Sequence, residues 1–255
     1  MAETPLTDPR AMPSENGRQA TMTESCIVAL GGGGFSTEPE NPRLDRYILS
    51  LARTPLPKIC FVPTASGDSD NYIVRFYEAY TIDRCLPSHL RLFHRNVQDL
   101  RQFILDQDIV YVGGGATAYL LAIWRLTGLD AIFREAWERG TILCGVSAGA
   151  LCWFEAGLTD SFGRPLRPLR DGLGLIAGSF CPHHDGEKDR RAAFQRAVAE
   201  GAIPPGFGVD DGVALVYRGT DLFEIVASRS AARAWRVEHA AEGVREVELV
   251  PRYLE

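Results

Sequence analysis

The stretch TILCGVSAGALCWFEAG, residues 141–157, decides how the chain is read. TILC is short, apolar and bounded by Gly, as a buried strand is. It runs through Gly145-Val146-Ser147-Ala148-Gly149 into a helix-forming run with no intervening loop, and 148–157 is expected as a helix. A strand turning directly into a helix around G-x-S-x-G is the setting of a nucleophile elbow, which lifts a serine hydroxyl above the rim of a sheet. Glycine on both sides lets neighbouring strands and helices approach closely. The helix N-terminus behind the serine offers unpaired N–H groups and positive potential. The simpler reading makes Ser147 the N-cap of an ordinary turn; the elbow reading demands a base, an acid and oxyanion donors elsewhere in the chain.

Outward from that stretch, short apolar runs alternate with helical patterns. CIVALGG (26–32), KICFVPTAS (58–66), HLRLFH (89–94), DIVYVGGG (108–115) and a run within 172–181 read as strands. Residues 42–54, 71–82, 97–107, 116–126, 129–139 and 187–200 read as helices. Residues 206–219 and 221–228 read as a final hairpin, and ARAWRVEHA and VREVELV as edge strands. This alternation predicts an α/β three-layer sandwich, with a mostly parallel central sheet and helices on both faces. Sites in such sheets lie at the carboxyl ends of the strands. The glycine clusters 31–34, 113–115 and 145–149 fall there.

A serine hydroxyl needs a base within hydrogen-bond reach. His183 and His184, in CPHHDGE, directly follow an apolar strand and stand at the right end of the sheet. His183 is taken as the base, with His184 the near alternative. Asp160 and Glu155 are the candidates for the orienting carboxylate; Asp160 is preferred, because Glu155 points away along the expected helix. Gly114 or Gly115 and Ala148 are the expected oxyanion donors through their N–H groups. Thr117, His184, Arg191 and Arg196 are candidates for holding substrate, an arginine being suited to bidentate pairing with a carboxylate. Adjacent histidines in an extended stretch point apart, and no spaced His/Cys set is present, so neither a metal nor a cofactor is expected.

GGGGFS, FVPTAS, YVGGGAT, GVSAGA and CPHHD occur in this order along residues 25–228. Together they resemble the peptidase E and cyanophycinase family of serine peptidases. The resemblance implies a flavodoxin-like fold similar to class I glutamine amidotransferases, with Ser in place of Cys at the elbow. It implies activity on short peptides with an N-terminal acidic residue, or on β-aspartyl-arginine units. It places the nucleophile on Ser147, the base on His183, and an acid at a variable distance beyond the serine. Ala116 stands where the peptidase E branch tends to carry Asn, and Pro182 where the cyanophycinase branch carries Gln. Family members are commonly dimeric, so a homodimer is an open expectation.

Composition narrows the partners. A net charge of −6 over 255 residues gives no basic field for nucleic acid, and no apolar run is long enough to span a bilayer. Residues 1–22 are polar and Pro-rich and read as a disordered tail, with 23–255 as one α/β domain. Six cysteines without a CxxC pair, and no export signal, suggest reduced thiols and a cytoplasmic chain. Two rival readings remain: an α/β-hydrolase-like esterase using Asp221 and His239, and a non-catalytic nucleotide-binding domain built on the Gly31–Gly34 turn.

Overall fold

The computed structural model describes residues 25–187 and 189–255; the tail expected at 1–22 lies outside them. The strands are β1 (Cys26–Leu30), β2 (Lys58–Val62), β3 (Leu86–His89), β4 (Ile109–Val112), β5 (Ile142–Val146), β6 (Phe154–Thr159), β7 (Arg167–Leu169), β8 (Ile176–Cys181), β9 (Gly206–Val209), β10 (Val213–Arg218), β11 (Asp221–Ala227), β12 (Ala234–Ala240), β13 (Gly243–Leu249) and β14 (Arg252–Tyr253). The helices are α1 (Gly34–Thr37), α2 (Arg43–Ser50), α3 (Asp70–Ala79), α4 (Leu100–Leu105), α5 (Thr117–Thr127), α6 (Leu129–Glu138), α7 (Ala148–Leu151) and α8 (Arg190–Ala199).

An eight-stranded sheet runs in the order β14-β11-β10-β1-β5-β4-β2-β3. From β1 to β3 every neighbouring pair is parallel, and β10 joins β1 antiparallel. The parallel strands bury both faces, with period two. Val28, Leu30, Phe61, Tyr111 and Cys144 pack with Phe35 and with the apolar sides of α2 and α3. Ile27, Ala29, Cys60, Val110 and Leu143 pack on the opposite face with Leu120, Trp124, Phe133 and Trp153. Helices therefore cover the sheet as the strand–helix alternation predicts.

A second sheet, ordered β13-β12-β9-β8-β6-β7, joins the second of these cores through Phe154, Phe180, Phe207 and Val209. The sequence reading did not foresee it. The helix expected over 148–157 ends at Leu151, because the carbonyls of Cys152 and Trp153 accept from Leu173 and Leu175 (2.8 and 2.9 Å), and Phe154–Thr159 pairs with β8 instead. Tertiary pairing here overrides a local helical pattern. Likewise 206–219 splits: β9 enters the second sheet, and the hairpin is β10–β11 alone. Of the two expected edge strands, β12 is internal and β13 forms the edge. The strand expected at 89–94 lies earlier: Asp68 Oδ2 accepts from the N–H of Leu92 (2.7 Å) and Phe93 (2.8 Å) and turns the chain there.

Phe61 is fully buried between Phe35, Tyr72 and Phe76, with ring centroids 4.9–5.5 Å away. Phe61→Ala is expected to cost about 3–5 kcal/mol, read as a lower urea midpoint with unchanged slope.

Candidate active site

Ser147 links β5 to α7 with φ 57° and ψ −115°, a conformation rare for a residue with a side chain. The turn closes tightly: a Cβ on Gly149 would lie 2.6 Å from the Val112 carbonyl carbon. Ser147 N–H donates to Leu30 O at 3.1 Å, which hangs the elbow on the last residue of β1.

His183 hangs on the next residue. Its N–H donates to Gly31 O at 3.2 Å, and its φ is 52°. One residue further, Gly212 N–H donates to Gly32 O at 3.1 Å, and Gly32 bridges to Asp211. Three consecutive residues, Leu30 to Gly32, thus carry the segments bearing Ser147, His183 and Asp211. Glycine is obligatory here: a Cβ on Gly32 would collide with the Asp211 carboxylate and lie 3.0 Å from His183 Nδ1.

His183 Nδ1 lies 2.6 Å from Asp211 Oδ1, with the two side chains 17% and 25% exposed. An ionised carboxylate only accepts, so Nδ1–H is the donor of this hydrogen bond and Nε2 is the ring nitrogen left facing away from Asp211. The hydrogen bond from His183 holds Asp211 below the ordinary carboxylate range. Asp185 Oδ1 accepts from Asp211 N–H at 3.0 Å and fixes its backbone.

The carboxylate beside His183 is Asp211, not the expected Asp160. Asp160 is 53% exposed and lies 3.8 Å from Arg190, in the loop after β6. Glu155 accepts from Gly178 N–H at 2.8 Å, in the second sheet. The signal for Asp211 was an acidic pair, GVDDG, at the carboxyl end of an apolar strand, beyond the histidine.

His184 is not an alternative base. Its side chain is fully buried, Nε2 lies 2.9 Å from Glu246 Oε1 of β13, and burial lowers its imidazole pKa. Arg191 is committed as well: it pairs with Glu246 and stacks 4.1 Å from the Trp235 ring centroid. Arg196 sits exposed in the last turn of α8, and Thr117 is buried at the first position of α5. Ala148 is the first residue of α7, where N–H groups have no intrahelical partner. Gly114 N–H, expected as an oxyanion donor, instead donates to Tyr72 Oη at 3.2 Å.

The other constellations do not assemble. Asp221 and His239 lie on different sheets. The Gly31–Gly34 turn packs closely on the chain before Asp211: a Cβ on Gly31 would lie 2.5 Å from Asp210 O. Cys144 and Cys181 are fully buried, and burial pushes the Cys181 thiol up to about 12, far from a thiolate nucleophile. Among the described residues, no group of three or more His, Cys, Asp or Glu is placed to hold a metal ion, and no helix is long and apolar enough to cross a membrane.

A crystal structure of a peptidase from an acI-B1 Actinobacterium superposes with a TM-score of 0.68 at 22% identity, covering 90% of this chain and 96% of that one. The fold is thus one found among peptidases. The chain belongs to Peptidase family S51, whose sequence profile matches residues 27–225. It is 51% identical over 228 residues to the "Uncharacterized peptidase YgaJ" of Bacillus subtilis (strain 168), covering 89% of this chain and 98% of that protein. It is 28% identical over 180 residues to "Peptidase E" of Shewanella amazonensis, covering 67% of this chain and 75% of that protein.

Because the folded protein holds Asp211 below its ordinary pKa, this carboxylate stabilises the fold above the unfolded-chain value, and that stability is lost as pH falls through the lowered one. The gap in melting temperature between wild type and Asp211→Asn is therefore expected to be widest near neutral pH and to close in acid, as read by thermal melts across pH.

Proposed function

We propose that the chain is a serine peptidase that hydrolyses short peptides through an acyl-enzyme on Ser147, with His183 as base and Asp211 as its orienting acid. The observation that carries this reading is the suspension of the elbow and of the His183–Asp211 pair from neighbouring residues of a single turn. In this reading Ser147 is the nucleophile, His183 the base and Asp211 the group that orients it.

Nε2 of His183 takes the proton as Ser147 Oγ bonds to the peptide carbonyl carbon. The negative charge that develops on the carbonyl oxygen is met by backbone N–H groups at Ala148 and at the glycine turn after β4. The C–N bond breaks, and His183 returns its proton to the leaving amine. Water then attacks the ester, giving a proton to His183; the serine–acyl bond breaks and Ser147 recovers its proton from His183. Asp211 stays ionised throughout and stabilises the imidazolium that forms twice per cycle. Short acidic peptides, the substrates implied by the peptidase E-like motifs, are the substrate class we assign.

A panel of Asp-X, Glu-X and other dipeptides, together with β-aspartyl-arginine, tests this on wild type, Ser147→Ala and Asp211→Asn. Wild type is expected to cleave at least one class and to take a fluorophosphonate at Ser147. Ser147→Ala and Asp211→Asn should lose about 10⁴-fold or more in kcat/KM, and Asp160→Asn no more than about threefold. No cleavage by wild type, or full activity in Ser147→Ala, would sink the proposal.

A further inference from the structure

Tyr72, in the first turn of α3, bonds the glycine turn next to Ser147 and has no part in the proposed mechanism. Its ring belongs to the core: it is 5% exposed, with centroids 4.9 Å from Phe61 and 5.6 Å from Phe35. Its hydroxyl reaches the site. Oη accepts from Gly114 N–H at 3.2 Å and lies 2.5 Å from Ser36 Oγ. A Cβ on Gly114 would lie 3.5 Å from Ser147 Cβ and 3.9 Å from Tyr72 Oη, so the phenol and the serine flank the same glycine.

A phenol oxygen carries one proton and two lone pairs. Gly114 N–H takes one lone pair, and Ser36 takes the proton or the second. Gly114 N–H is thereby committed. The amides around it are committed too: Gly113 N–H donates to Val62 O (3.1 Å), and Ala116 N–H to Ala65 O (2.8 Å). Among the described residues, Gly115 N–H is the one amide of the 113–116 run with no protein acceptor. It sits in a peptide held on both sides, at Gly114 by the phenol and at Ala116 by the Ala65 carbonyl. Burial raises the phenol's pKa, so it remains a neutral hydroxyl at physiological pH and its lone pair stays on Gly114. The Arg75 guanidinium, 5.0 Å over the Tyr72 ring, donates to Ser36 O (3.1 Å) and closes the cluster from the solvent side.

We propose that Tyr72 is the positioning residue of the oxyanion hole: its hydroxyl holds the Gly114 peptide so that Gly115 N–H, together with Ala148 N–H, faces the oxygen that becomes charged. This rests on the serine-peptidase reading, and it removes Gly114 from the donor set. The donor pair is then fixed by a side chain from a different helix, not by the glycine turn alone.

Tyr72→Phe keeps the ring and its packing and removes one oxygen. Rates are normalised to active sites titrated to completion with fluorophosphonate, so a partly unfolded sample does not mimic the effect. We expect kcat on the best dipeptide to fall about 10- to 100-fold, with KM changed less than about threefold, because the loss is felt only when the oxygen carries charge. The affinity of a peptide boronic acid, which binds as a tetrahedral adduct, should fall by the same factor. Ser36→Ala leaves the Gly114 contact in place and should keep kcat within about threefold. A kcat for Tyr72→Phe within twofold of wild type, or a loss confined to KM, overturns the proposal while leaving the serine-peptidase reading intact. Wild type that neither cleaves peptides nor takes the fluorophosphonate overturns both.

Discussion

The backbone carbonyls at the end of β1 are the constraint on which the site depends. Leu30 O holds the serine elbow, Gly31 O holds the histidine loop, and Gly32 holds the turn that presents Asp211. Each bond is an ordinary neutral hydrogen bond, worth about 1 kcal/mol net. Their importance is geometric. They tie segments from positions 147, 183 and 211 to one turn of extended chain, so the relative placement of Ser147, His183 and Asp211 does not depend on the longer loops between them. The strain at Ser147 and the left-handed backbone at His183 persist because this turn and the packed core over-determine them.

The second sheet has a function in this arrangement. β8 ends at the two histidines and β9 at the acidic pair, and their pairing brings His183 within 2.6 Å of Asp211. Adjacent histidines then divide the work. His183 turns towards the glycine turn and stays partly open to solvent; His184 turns inward, against β9, and is clamped by Glu246 from β13, which also binds Arg191. A Cβ on Gly208 would collide with the His184 ring, so β9 is shaped around it. The buried histidine anchors the loop that carries the half-buried one. The C-terminal hairpin β12–β13, remote in sequence from the elbow, is part of the site's support.

Much of this was legible in the chain before any coordinates. The elbow at 145–149 and the glycine turns after β1 and β4 followed from strand–turn–helix context, because sterics at a tight turn admit few residue types; His183 was marked by its place directly after an apolar strand. Asp160 does not lie at the imidazole, where Asp211 does. An orienting carboxylate is selected by direction and reach in space, and nothing in the spacing from Ser147 distinguishes a loop Asp beside Arg190 from an Asp on a strand end beside the imidazole. The same holds for Gly114, whose N–H is claimed by a tyrosine 42 residues earlier. Arg191 and His184 looked available because partners on β13 and in the Trp235 region are invisible to local pattern.

What the sequence determined by itself is the local chemistry: buried strands, glycine where backbones touch, a serine at an elbow and a histidine at a strand end. These depend on neighbours within a few residues, which periodicity and steric rules capture. Only the tertiary structure decided that 154–159 is a strand rather than a helix, that a second sheet exists, that Asp211 lies against His183, and that Tyr72 bonds Gly114. Each of those rests on a hydrogen bond or packing contact between residues far apart in the chain, and the energy of such a contact exists only once both partners have been brought together.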